Sequence, residues 1–325
     1  MGLGDATARA FAKLPIHGGL RRSLDRVYRP DDPAFRVDYL AGPGDPGDCG
    51  PDSVTWRVMA NPIVFALGAI PAVILQMAEE GIGKGVDTYS TYKADTLGRT
   101  QRTLSAALAS TYASTSAKAA LMQEVARRHA KVRGPLDDGS RYSAFDPARM
   151  TFVHLTAGFG FAEAYHRLIR PLSAEERDRL VAESAAVAGD YGRFAVPRSH
   201  REAEDFIRQW APRLSRRPEL DNFLAIARRG SIPGMAGGSS KGLLVTAGIA
   251  LLPRWARDQL GFPRRPVQEA LAFAALRPLA RFVPHIMTDT PPQLACRRLG
   301  LPEDFLFRQA EAPGAPTLTG SLSRR

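Results

Sequence analysis

Apolar residues in this chain recur mostly three and four positions apart, the repeat of a helix with one face against a core. The period-two alternation of a half-buried strand is nearly absent, so the pattern predicts an all-α protein. A short helix fits Ser53 to Met59. The next, apolar on all sides, fits Pro62 to about Glu80 and is expected at the centre of the core. Further helices fit about 97–112, 117–133, 147–169, 218–229, 253–259 and 266–281. Two more begin at capping-box sequences, Ser173-Ala-Glu-Glu176 and Ser199-His-Arg-Glu202. The glycine-containing stretches Gly81–Gly85 and Gly230–Gly242 read as loops.

Residues 1–52 carry one modest helical stretch, Ala8 to Lys13, and a Pro/Gly/Asp loop at 41–50, and read as a loosely structured lead-in. Residues 53–311 read as a single multi-helix domain, and 312–325 as a disordered tail. No internal repeat is visible. The most apolar run, 62–78, is at the short limit for a bilayer span and contains Pro62, Pro71 and Gln76, so a buried core helix is the reading adopted. The chain begins without the basic and apolar regions of a secretory signal, which points to the cytoplasm, with peripheral membrane association left open.

Hydrophobic residues make up 44% of the chain and charged ones 24%, enough apolar surface to fold rather than stay disordered. Two cysteines, Cys49 and Cys296, exclude a disulfide framework or a Cys-rich metal cluster. The formal charge is +11; six of the 44 basic residues are lysine and the rest arginine. They are dispersed, with no aromatic-interleaved stripe, so a nucleic-acid groove is not expected. The excess can still favour anionic surfaces or ligands.

Motif frames for common chemistries fail. No HxxxH or HExxH pair exists, and Gly81-Ile-Gly-Lys-Gly85 lacks the GK[ST] ending of a phosphate loop. Gly238-Ser-Ser-Lys-Gly242 matches a nucleophile-elbow frame around Ser240, but no strand precedes it, so it reads as a chance match.

Three helical faces say more. Arg99, Arg102 and Thr103 fall at i, i+3 and i+4, giving one donor-rich cationic face that suits a carboxylate, a phosphate or a developing oxyanion, or else a solvated surface. Met122, Val125, Ala126, His129 and Val132 form a stripe that points His129 toward the core, where burial favours neutral imidazole. Such a ring is either a satisfied core histidine or an iron ligand. His154, Gly158, Phe161 and Tyr165 share a third face, which suits either a planar ligand or a closely packed helix.

Several segments occur in a telling order. These are Gln76-Met-Ala, Gly81-Ile-Gly-Lys-Gly-Val86, Asp95-Thr-Leu-Gly-Arg-Thr-Gln-Arg-Thr103 and Arg128-His-Ala-Lys-Val-Arg-Gly134. Tyr142-Ser-Ala-Phe-Asp-Pro147, Phe152-Val-His154 and Ala164-Tyr-His-Arg-Leu168 follow. In order and spacing they resemble the rubber oxygenase (latex clearing protein) and mycophenolate-pathway oxygenase family. The similarity runs from about residue 54 to 285, more weakly through Leu251–Arg257. The resemblance implies an all-α fold distantly related to globins that binds haem b. It implies an oxygenase using O₂ on a hydrophobic small molecule, by C=C cleavage of an isoprenoid or lipid, or by hydroxylation or desaturation; a non-catalytic haem-binding protein is the other reading. His129 would be the proximal iron ligand, with His154 as a second cofactor-binding residue, and Arg99, Arg102 and Thr103 would match the distal polar cluster. The rubber enzyme carries lysine at the position of Arg102, so a cation is kept. Some relatives have His-Pro where this chain has Glu79-Glu80, which makes either glutamate a candidate base.

Overall fold

The computed structural model describes residues 25–26, 28–90, 92–191, 194–229 and 242–311, the last three as backbone alone. The predicted helix at 8–13, His17, Ser240 and its glycine-rich surroundings at 230–241, and the tail 312–325 lie outside the described residues.

Fourteen α-helices are described. In chain order they begin α1 (Val54–Met59), α2 (Pro62–Ala78), α3 (Glu80–Tyr89), α4 (Thr96–Tyr112) and α5 (Thr115–His129). A small antiparallel hairpin, β1 (Arg133–Pro135) and β2 (Arg141–Ser143), precedes α6 (Pro147–Leu168). Then come α7 (Ala174–Ala188), α8 (His200–Gln209), α9 (Pro218–Arg229), α10 (Leu243–Leu251) and α11 (Arg254–Gln259). The last are α12 (Pro266–Ile286), α13 (Pro291–Arg298) and α14 (Phe305–Glu311). The class is all-α, as the periodicity predicts.

Caps set the boundaries. Ser53 accepts from Trp56 N at the start of α1, and Asn61 Oδ1 accepts from Ile63 N and Val64 N at the start of α2. The capping box at Ser173 and Glu176 is complete. The one at Ser199 is half made: Ser199 Oγ accepts from Glu202 N, but Glu202 reaches back to Arg198 N instead.

α2 runs along α6 and also touches α3, α9, α10 and α12. The α2–α6 crossing depends on two glycines. A Cβ on Gly160 would stand 2.2 Å from the Gly68 carbonyl oxygen, so the two backbones touch there. Gln76, the polar residue in this apolar helix, donates from Nε2 to Val153 O and Thr156 Oγ1, tying α2 to α6. No described helix is long and apolar enough to cross a membrane.

Three departures from the sequence pattern have physical causes. Gly81–Gly85 is not a loop but the body of α3. Glycine weakens a helix by about 0.5–1 kcal/mol relative to alanine, yet here it is required. A Cβ at Gly81 would meet Arg149 Nε at 2.7 Å and Tyr142 Cβ at 2.8 Å, so α3 lies against β2 and α6 only without side chains. Glu79 caps it, accepting from Ile82 N at 2.7 Å. The second departure is that the helix predicted over 117–133 stops at His129, and β1 begins at Arg133. Third, α10, α13 and α14 are helices the pattern did not predict; α10 is apolar nearly throughout and so shows no period.

Candidate active site around Arg99, Thr103 and His129

Asp95 caps α4, accepting from Gly98 N at 2.8 Å, and so fixes the turn that carries Arg99. Arg99 Nε donates to Ser90 Oγ at 2.8 Å across the gap between α3 and α4. Its guanidinium also donates to Thr103 Oγ1 one turn later, and the Thr103 hydroxyl donates to Arg99 O at 3.0 Å. Arg102 shares the helix face but not the environment. It pairs with Asp95 at 3.5 Å, so its charge is partly balanced.

Arg99 has no acidic partner among the described residues. Burial lowers its affinity for a proton, and the charges of Arg102 and Arg128 lower it further. It keeps some accessible surface all the same. Arg99 is thus half-buried, and Thr103 beside it is exposed. A desolvated cation without a counter-charge is costly unless an anion or a partial negative charge joins it.

His129 is the last residue of α5. The predicted stripe holds at Met122 and Val125, which are buried, and fails at Ala126, which is exposed. His129 itself is half-buried, and Val132 has left the helix, its N–H donating to His129 O at 2.9 Å. The ring meets Phe145 edge-on, centroids 6.2 Å apart. Burial pushes its pKa below the usual histidine value, and the nearby Arg99 charge pushes it the same way. The imidazole is therefore neutral at neutral pH. Arg99, Thr103 and His129 thus come together from α4 and α5.

His154 lies on α6, away from these three. Burial drives its pKa down to about 4, partly opposed by the Ser184 carbonyl on α7. Its ring meets Phe194 edge-on at 5.7 Å, and its Nε2 is buried without a hydrogen-bond partner. Like Arg99, it keeps accessible surface. On the same face, Phe161 stacks on Phe65 of α2 at 4.7 Å, and Tyr165 is fully buried. A Cβ on Gly158 would meet nothing within 4 Å, so the close helix contact is at Gly160, and Gly158 looks onto open space.

Glu79 and Glu80 are both committed to ion pairs. Glu79 Oε1 accepts from Arg149 at 3.0 Å while Oε2 caps α3. Glu80 pairs with Lys84 at 2.7 Å and Arg217 at 3.1 Å and accepts from Asp137 N. Among the other histidines, His166 Nδ1 accepts from Leu172 N at 3.1 Å, and His200 faces Glu204 at 3.4 Å. Among the described residues no cluster of three or more His, Cys, Asp or Glu side chains could hold a bare metal ion.

Sequence reasoning did not find Ser90, Phe145 or Ser184, which touch the site residues from other elements. The role of Asp95 was legible, since an acidic residue directly before an apolar-periodic run is a helix start signal.

Residues 56–285 match the family described as ER-bound oxygenase mpaB/B'/Rubber oxygenase, catalytic domain. The chain belongs to this family. It is therefore an oxygenase-family oxidoreductase domain, and the matched segment contains all five site residues named above. No curated protein and no solved structure matches the chain.

Proposed function

We propose that this family member is a haem-b-dependent oxygenase that uses O₂ on a hydrophobic small molecule. One observation carries the reading: the neutral imidazole of His129 stands beside a desolvated Arg99 that has no acidic partner among the described residues. His129 would be the residue that holds the haem iron, because its neutral imidazole offers a nitrogen donor and no cluster of three or more His, Cys, Asp or Glu side chains among the described residues suits a bare metal ion instead. The unpaired guanidinium suits negative charge, whether a propionate or charge developing on oxygen. Haem, when bound, would supply the redox chemistry that O₂ activation needs.

The chain's own residues have distinct tasks in this reading. His129 offers a ring nitrogen free of a proton. Arg99, held by Ser90 and Thr103, presents fixed donors, and such preorganised dipoles need no reorganisation as charge develops. Arg102 adds positive potential, tempered by Asp95. His154 adds a second neutral imidazole at the wall, and the open space at Gly158 leaves room for a flat group. The half-buried apolar positions Phe65, Ala69 and Val73 of α2 would face a greasy substrate and keep water out.

The test is the visible spectrum of the purified protein, with and without dithionite, after hemin addition. A Soret band that shifts on reduction is the expected result. A protein that stays colourless and takes up no hemin overturns the proposal. Oxygen uptake with alkene-containing lipids then separates an oxygenase from a haem-binding protein without turnover.

A further inference from the structure

The two most exposed large apolar side chains in the described structure lie one turn apart on the same helix. They are Val267 and Leu271 of α12, 71% and 64% exposed. The inward face of α12 is already spent on the core: Ala272, Phe273, Leu276, Ala280 and Val283 are buried there. The outward face continues from Val267 and Leu271 through Ala274 and Pro278, all exposed, at the i, i+4, i+7, i+11 spacing of a single stripe. α12 is thus apolar on two opposite sides, and among the described residues only one of them has a partner.

The margins of this outer stripe are basic. Arg264 and Arg265 precede it, Arg277 flanks it and Arg281 extends it, all exposed. Arg277 Nε donates to the Arg167 carbonyl, and the exposed Arg167 lies over the Phe273 ring, so a further cation stands beside the stripe. The helix has a single acidic residue, Glu269. It is turned away, paired with Arg257 and accepting from Arg265 N. Apolar residues edged by arginine, with no facing acid on the helix, fit an anionic lipid surface: the side chains enter the acyl boundary while guanidiniums meet phosphates.

We propose that the outer face of α12 seats this protein on an anionic bilayer surface. The attachment is peripheral, and its charge complementarity agrees with the overall +11.

The test uses the full chain and co-sedimentation with phosphatidylcholine–phosphatidylglycerol vesicles, with phosphatidylcholine alone as the comparison. The expected result is binding to the anionic vesicles, weakened by salt. The double variant Val267→Asp, Leu271→Asp should weaken binding at least about tenfold, through loss of apolar insertion. Arg277→Gln, Arg281→Gln should weaken it about fivefold per charge removed. All four positions are exposed, so circular dichroism should not change and the melting temperature should move little, with aspartate at 267 favourable in the first helical turn and the loss of the Arg277–Arg167 hydrogen bond the main cost. Two results overturn the proposal. One is vesicle binding unchanged in both variants, which would mean adsorption by the dispersed charge. The other is no vesicle binding together with a self-association that the aspartate variant abolishes, which would mean that a second copy covers the stripe.

Discussion

Arg99 of α4 stands near enough to His129 at the end of α5 for its charge to disfavour a proton on the imidazole. Burial is the larger cause and acts in the same direction. Metal ligation needs the deprotonated ring, so under the proposed function this pairing would widen the pH range over which His129 holds the iron. Arg99→Gln should therefore move the His129 pKa upward, toward the ordinary value. Hemin uptake by that variant should fail at a higher pH than in the parent protein, as read by titrations across mildly acidic buffers. Identical pH profiles would separate the two residues.

His129→Ala should fold and fail to take up hemin, because a half-buried ring at a helix end contributes little to the core. His154→Ala should retain the Soret band with an altered intensity or position. The reverse outcome, with haem lost only in the His154 variant, would make His154 the ligand and leave His129 as a core histidine.

A desolvated Arg99 with no acidic partner among the described residues is a cost to the fold that function would justify. Arg99→Met removes a desolvated cation and keeps an unbranched side chain. The apoprotein is expected to gain on the order of 1 kcal/mol, seen as a higher melting temperature. Turnover should fall by about 10²–10³, the usual loss when one preorganised donor is removed from an oxygen site. A drop in both stability and activity would mean that the hydrogen bonds to Ser90 and Thr103 outweigh the cost of the desolvated charge.

Much of this arrangement could be read from the chain before the fold was known, and the failures are instructive. The Arg99–Thr103 contact follows from i, i+4 spacing alone. The separation of Arg102 from Arg99 does not, because it depends on where the Asp95 side chain turns. The end of α5 at His129 was hidden because Val132 continues the apolar spacing after the backbone has left the helix. α3 was hidden for the opposite reason: Gly81 and Gly85 are demanded by contacts with Tyr142 and Arg149, which are more than 50 positions away in the chain. Spacing leaves Gly158 open to either a planar ligand or a packed helix; in the fold the helix contact falls two residues later, at Gly160, and Gly158 has nothing within 4 Å of its Cβ position. Local pattern carries faces and caps; long-range contact decides which glycine is filled.

That distinction between the two glycines can be tested directly. Gly160→Ala would place a methyl 2.2 Å from the Gly68 carbonyl and force α2 from α6, so it should cost about 3 kcal/mol or more, or abolish soluble expression. Gly158→Val should leave the thermal transition nearly unchanged, since nothing stands within 4 Å of its Cβ, but should reduce hemin or substrate uptake by occupying the open space. Equal destabilisation by both would mean that the space at Gly158 is not a recess.

Acid should expose the second imidazole. The His154 pKa is about 4 in the fold against 6.5 when unperturbed, because burial disfavours its charged form. The unfolded chain therefore binds the extra proton first as pH falls. Stability should be flat above about 6.5 and decline between there and about 4, by a total of roughly 3 kcal/mol from this residue. His154→Gln keeps a polar side chain and removes the titration, so its unfolding free energy should lose most of that slope. Glu79→Gln is the control in the opposite sense. Breaking its pair with the mostly buried Arg149, which keeps Asp146 at 3.2 Å as a second partner, should cost about 1–3 kcal/mol at neutral pH. If that variant instead unfolds like the parent and is catalytically dead, Glu79 acts as a base rather than as the cap and ion-pair partner its contacts describe.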